Sequence, residues 1–147
     1  QVVGVYAPEW LEPLAYVLAA LGTESAWIVH GAGGVDEIST AGPTQVAELK
    51  DGTVASFTIE PDALGLPISP LEAIKGGDAV HNAAALRALL NGARSAYRDT
   101  VLMNAAAALV VAGRAASLVE GVALAAASID EGRAHDRLDR LIAITNG

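Results

Sequence analysis

Val2-Val3-Gly4-Val5-Tyr6, the stretch from Pro8 to Gly22, and Ala26-Trp27-Ile28-Val29 running into His30 together decide the fold. The first run is β-branched and too short for a helix, which suits a buried strand. Pro8 stands where a helix can begin, because the first turn has no use for the N–H that proline lacks. Trp10, Leu11, Leu14, Tyr16, Val17, Leu18 and Leu21 carry that helix to Gly22, a natural stop. Strand, helix, strand over about 30 residues is the βαβ pattern, which predicts a parallel pair with a right-handed crossover.

Outward from this unit, Gln45–Leu49 and Thr53–Ile59 flank Lys50-Asp51-Gly52, where Asp-Gly is placed for a tight hairpin turn. Pro61, Pro67 and Pro70 make residues 60–70 a loop. From about residue 76 the pattern turns helical. Asp78 can cap a helix running to about Leu90 and closed by Asn91-Gly92. Asp99 caps, or lies in the first turn of, a helix through Val101, Leu102, Ala105, Leu109 and Ala112. Leu118, Val122, Ala125 and Ile129 repeat the helical spacing, as do Leu138, Leu141 and Ile142. The expected class is α/β: short parallel strands plus an antiparallel hairpin in residues 1–75, and a helical C-terminal layer in 76–147. So few strands make a thin sheet with exposed edges. With no initiator Met and Gln1 almost inside a strand, the chain reads as the second part of a larger protein.

The 147 residues fit one domain, and 52% of them are apolar. Thirty-one are alanine and only 4% are aromatic, so the core must come from close packing of small residues. Charged residues make up 18%, which excludes the disordered class. The uncharged stretch from Thr100 to Gly113 ends at Arg114, short of the roughly 18–20 residues of a membrane span, so no membrane partner is expected. No signal-peptide pattern opens the chain. Absence of cysteine excludes disulfides and thiolate sites and suits a cytoplasmic setting. The net charge of −8 divides into −9 over residues 1–80 and +1 over 81–147. A nucleic-acid partner needs a basic face, and none is written here.

The most informative stretch for chemistry is His30-Gly31-Ala32-Gly33-Gly34-Val35-Asp36-Glu37-Ile38-Ser39. It follows the C-terminal end of a strand, where α/β folds place their ligands. Its glycines permit close approach of backbone. The adjacent carboxylates Asp36 and Glu37 suit Mg²⁺, which commonly takes one or two carboxylates and keeps waters or substrate phosphates. The alternative reading is a glycine turn in which Asp36 caps a helix and Glu37 is solvated. His30 is the acid–base candidate, or else simply bonds nearby backbone. Gly76-Gly77-Asp78 looks like a phosphate loop feeding a helix, but Asp78 would repel phosphate, which favours a loop and cap. His81 and His135 read as surface or packing residues, and Arg87, Arg94, Arg98 and Arg114 as surface pairs. Ser39 and Ser69 have no base at readable spacing.

These residues taken in order resemble anthranilate phosphoribosyltransferases. The match runs from Gln1-Val2-Val3-Gly4-Val5-Tyr6 through Val29-His30-Gly31, Gly34-Val35-Asp36-Glu37-Ile38-Ser39 and Gly42-Pro43-Thr44. It continues in Gly76-Gly77-Asp78, Asn82-Ala83, Tyr97-Arg98-Asp99, Val101 to Leu109, Glu120-Gly121 and Ile129-Asp130. The resemblance implies a nucleoside-phosphorylase-like α/β domain joined to a smaller helical domain that commonly mediates homodimer formation. It implies transfer of phosphoribose from phosphoribosyl pyrophosphate to the amino group of anthranilate, with release of pyrophosphate. By position it assigns Mg²⁺ to Asp36 and Glu37, and it places His30, Gly33 and Gly34 near the metal–pyrophosphate site. The family's Gly-Thr-Gly-Gly-Asp loop, its Lys-His-Gly-Asn segment and its anthranilate-contacting arginine all precede the matched region. The chain is therefore expected to act with the N-terminal half of the same enzyme. Two departures stand out: Gly33 where many members carry aspartate, and Ser95 where many carry glycine. The competing readings are a non-catalytic packing domain and a pyrimidine nucleoside phosphorylase-like paralogue.

Overall fold

The structure, a computed structural model, describes residues 1–147. In order come β1 (Val2–Gly4), α1 (Leu11–Ala20, entered through a 3₁₀ turn at Pro8–Trp10), β2 (Ser25–His30), β3 (Thr44–Lys50) and β4 (Thr53–Ile59). Then follow α2 (Ala79–Leu90), α3 (Ala96–Val111), α4 (Leu118–Asp130) and α5 (Arg133–Asn146). Short 3₁₀ turns at Asp62–Leu64 and Leu71–Ile74 interrupt the connection between strands and helices.

The four strands form one sheet in the order β1-β2-β3-β4. β1 and β2 are parallel, with Val3 opposite Ile28, whereas β2–β3 and β3–β4 are antiparallel. The expected βαβ unit and hairpin are both present. Asp51 and Gly52 both have positive φ, at 49° and 77°, which closes the two-residue hairpin in the sense that suits strand twist.

The centre of β2, Ala26–Val29, is apolar without a break because both of its faces are covered. Ala26 and Ile28 meet Leu11 and Ala15 of α1, whereas Trp27 and Val29 meet Met103 and Ala107 of α3. Alternation on the partner strand agrees, with Ala47 and Leu49 toward α1 and Val46 toward α3. Trp27 closes its side of the core through an edge contact with Phe57 and donates its indole N–H to Glu48 at 2.8 Å. A third cluster, Leu89, Leu90, Leu102, Ala125 and Ile129, joins α2, α3 and α4.

The alanine-rich composition finds its use between α3 and α4. A Cβ on Gly121 would lie 2.8 Å from Ala106 Cα, so the two helix backbones approach too closely for any larger residue. Helix capping follows the sequence at Asp78, which accepts from the His81 N–H at 2.8 Å. At α3 the cap is Ser95, accepting from the Arg98 N–H, and Asp99 lies in the first turn. Burial pushes the Asp99 carboxyl above its ordinary value, opposed by the charges of Arg98 and Arg94.

Three expectations need correction. Asp36 caps no helix, since the chain runs on from it without regular structure to β3. Tyr16, Val17 and Leu21 of the first apolar stretch, and Leu141 and Ile142 near the end, are exposed. Four strands offer too narrow a face to cover every apolar position of α1, and α5 packs chiefly through Ala134 and Leu138. Arg98 is not a surface residue: it is fully buried, and its guanidinium donates to Asp130 at 2.8 Å. This pair ties the start of α3 to the end of α4, with Arg94 at 3.6 Å from the other carboxylate oxygen.

Asp130→Ala would leave the Arg98 charge buried without its partner. Loss of one member of a buried pair costs about 3–5 kcal/mol, and the partial exposure of Asp130 places the expected loss near the lower figure. Asp130→Asn keeps an acceptor and should cost less. Urea denaturation of the intact protein checks both; equal midpoints for Asp130→Ala and wild type would remove the pair from the account of stability.

Candidate functional site

The site is built where β2 ends. His30 leaves the strand and the chain folds back on itself in a tight loop. The Gly31 N–H donates to the Val35 carbonyl at 2.9 Å, and the Gly34 N–H to the Gly31 carbonyl at 3.1 Å. Gly33 and Gly34 turn the corner with φ of 85° and 80°. An added Cβ on Gly33 would meet only the tip of Leu71, the far end of a flexible side chain. Both glycines are exposed, and neither lines the cleft described next.

Asp36 and Glu37 follow at the rim of a cleft of about 530 Å³, which Gly4, Tyr97, Val101 and Asn104 also line. Both carboxylates are exposed, and neither takes part in an ion pair. Their backbone, by contrast, is tightly held. A Cβ on Gly4 would fall 1.5 Å from the Asp36 carbonyl oxygen, and one on Gly31 would fall 2.3 Å from the Glu37 carbonyl oxygen. The segment thus lies flat across two bare stretches of main chain, one at the end of each parallel strand.

Hydrogen bonds secure the other side. The Ile38 N–H donates to Asn104 Oδ1 at 3.0 Å, and Asn104 Nδ2 donates to the Ile38 carbonyl at 2.8 Å. The Ser39 N–H donates to Thr44 Oγ1 at 3.0 Å, and the Ser39 hydroxyl accepts from the Ala41 N–H at 3.0 Å. Thr40 meets the Thr100 hydroxyl at 3.2 Å, and Ile38, Ser39 and Thr40 are buried. Two free carboxylates therefore project from a rigid base.

His30 has a different place. Its Nδ1 lies 2.9 Å from the Val5 carbonyl, so that nitrogen must carry the proton and donate. The ring braces the ends of β1 and β2 and does not line the cleft. Ser39 serves the backbone just described. In the Gly76-Gly77-Asp78 loop, the Gly77 N–H donates to Asn82 Oδ1 at 2.8 Å while Asn82 Nδ2 returns a bond to the Gly77 carbonyl at 3.0 Å. Its amide is committed, and Asp78 is a helix cap. His81 lines an adjoining cavity of about 550 Å³ that shares Ile74 and Tyr97 with the cleft. His135 lies on α5, 3.9 Å from Asp139.

No three His, Cys, Asp or Glu side chains converge as a closed metal cage. The donor set instead fits a hard divalent cation held by two carboxylates and completed by water and a phosphorylated ligand. Sequence reading singled out Asp36 and Glu37 but missed Gly4 and the holding role of Asn104. Their signal is a contact across the fold that no local spacing reveals. No helix is long and apolar enough to cross a membrane.

Comparison with known proteins shows the family and the fold. The sequence profile described as "Glycosyl transferase family, a/b domain" matches residues 1–135. Anthranilate phosphoribosyltransferases of Rhodopseudomonas palustris and Mesorhizobium japonicum are each 58% identical over essentially the whole chain. The chain spans 43% and 44% of the length of these two relatives. Among solved structures, the Thermus thermophilus enzyme of the same name superposes with a TM-score of 0.89 at 39% identity, over 98% of this chain and 42% of that one. The Saccharomyces cerevisiae enzyme, in complex with phosphoribosyl pyrophosphate and Mg, superposes with a TM-score of 0.85 at 28% identity, over 94% of this chain and 40% of that one. A strand-end carboxylate turn, the mixed sheet beneath it and a match over nearly all its length lead to one conclusion: this chain belongs to the glycosyl transferase family, within its α/β domain.

Proposed function

We propose that the intact protein is an anthranilate phosphoribosyltransferase, and that this chain is the C-terminal portion of its catalytic α/β domain. The pyrophosphate-binding loop and a helical domain belong to the remainder. The observation that carries the reading is the pair of unpaired, exposed carboxylates, Asp36 and Glu37, on an immobilised backbone at the end of a parallel strand. It is supported by relatives at 58% identity that bear that name and by a yeast relative with phosphoribosyl pyrophosphate and Mg.

In the reaction, the bond from ribose C1 to the pyrophosphate oxygen breaks as the anthranilate nitrogen bonds to C1, and the nitrogen then releases a proton. Positive charge develops on the ribose and negative charge on the leaving group. Asp36 and Glu37 would hold Mg²⁺ through hard oxygen ligands, and the bound ion supplies charge neutralisation for the departing pyrophosphate. Gly4, Gly31 and Asn104 keep those carboxylates where they need no rearrangement as charge develops, which is how preorganised electrostatics lowers a barrier. His30 acts by tying β2 to β1 through Val5, with Nδ1 held as a donor.

The test is loss of anthranilate fluorescence in the intact protein, supplied with phosphoribosyl pyrophosphate and Mg²⁺. Consumption of anthranilate dependent on both is the expected result. A folded intact protein that leaves anthranilate untouched would overturn the assignment, and phosphorolysis of a pyrimidine nucleoside in its place would move it to the phosphorylase branch of the fold.

A further inference from the structure

We infer that Asn104 is a positioning residue for divalent metal binding, acting through the main chain of Ile38 to set the attitude of Asp36 and Glu37. The inference rests on the function proposed above. Asn104 lines the same cleft as the two carboxylates, which on position alone would make it a ligand-contacting residue. Its hydrogen bonds argue otherwise. Oδ1 accepts from the Ile38 N–H at 3.0 Å, and Nδ2 donates to the Ile38 carbonyl at 2.8 Å and to the Thr100 carbonyl at 2.9 Å. An amide nitrogen has two hydrogens to give, and both are committed. The side chain has no donor left for a substrate oxygen.

The pairing imitates a strand. Asn104 offers Ile38 one acceptor and one donor, as a neighbouring residue in a sheet would, and it does so from a helix. Ile38 is fully buried and its main-chain groups need partners, so the amide satisfies both at once. The next residue toward the N-terminus is Glu37, and Asp36 precedes it. A shift of Ile38 away from α3 would rotate both carboxylates relative to the cleft. The bond to Thr100 fixes the amide itself, because residues 100 and 104 are one helical turn apart. Aspartate at 104 would turn two donors into repulsion against carbonyl oxygens, and alanine or leucine would leave the Ile38 groups unpaired.

Outer partners that orient metal ligands typically contribute a factor of about 10 to 100 in metal affinity. Binding of Mn²⁺ to the intact protein with phosphoribosyl pyrophosphate, read by electron paramagnetic resonance, tests the inference without relying on turnover. Asn104→Ala and Asn104→Leu are expected to weaken Mn²⁺ binding by about 10-fold or more. The apparent metal requirement for turnover should rise by a similar factor, while kcat at saturating metal falls far less. Unchanged Mn²⁺ affinity in a folded Asn104 variant would overturn the inference, provided that Asp36→Asn with Glu37→Gln abolishes binding. If that double variant still binds Mn²⁺ like wild type, the proposed metal site itself fails. Hydrogen exchange of the wild-type protein needs no variant: the Ile38 amide should be strongly protected before metal is added, and rapid exchange there would also overturn the inference.

Discussion

Asp36→Asn combined with Glu37→Gln in the intact protein is expected to lower turnover by about 100-fold or more while leaving stability almost unchanged. The size of the loss follows from electrostatics. Removing a single preorganised group that stabilises transition-state charge commonly costs 10²–10³-fold, roughly, and here two formal charges are removed. The selectivity follows from the geometry. Both side chains are exposed, and neither is ion-paired, so the folded state depends little on their charge. Substitutions at such positions usually move stability by no more than about 0.5 kcal/mol. Steady-state anthranilate consumption and a urea titration measured on the same preparation separate the two effects. Full activity in the double variant would leave these carboxylates as solvated surface and remove the central support for the proposed chemistry.

Gly4→Ala is expected to be the most damaging single methyl group that can be added at this site. Gly4 ends a short strand and is solvent-accessible, so local rules would tolerate alanine there. Yet the added carbon would sit 1.5 Å from the Asp36 carbonyl oxygen, 2.4 Å from its carbonyl carbon and 2.9 Å from its Cβ. The first two of these atoms belong to main chain, which cannot swing aside as a side chain can. Either β1 or the 36–37 segment must move. The segment is itself pinned by Asn104 and Thr44, so strain spreads to both sides. Overpacking of this kind commonly costs about 1–3 kcal/mol, and the value here should reach about 3 kcal/mol or more because backbone meets backbone. Metal affinity should fall with it, since the displaced residue is a proposed ligand. A Gly4→Ala protein with the wild-type urea midpoint and Mn²⁺ affinity would show that the strand and the turn do not meet as described.

The contrast between these two predictions marks where sequence reading reached and where it stopped. Asp36 and Glu37 stand out in the sequence because they are adjacent acids after glycines at a strand end, and their chemistry is local. Gly4 carries no such mark. Its importance arises from the Asp36 carbonyl lying against it, more than thirty positions along the chain. Asn104 was visible only as part of an alanine-rich helix, and Arg98 looked like one more scattered arginine until folding buried it against Asp130. His30 was the residue with the most chemical promise by type, and its Nδ1 is instead committed to a backbone carbonyl.

Alternation, helical periodicity and turn chemistry act over a few residues, so the sequence by itself determined the βαβ unit, the Asp51-Gly52 hairpin and the Asp78 cap. It also determined the alanine-built helical layer, for small residues permit close helix approach wherever they recur. Only the tertiary structure decided which exposed acids rest on a fixed base, which polar side chains are spent on main chain, and which glycines are empty because another backbone fills their space. Those properties depend on distances between segments remote in sequence, and such distances exist only once the sheet and α3 have closed on the loop between them.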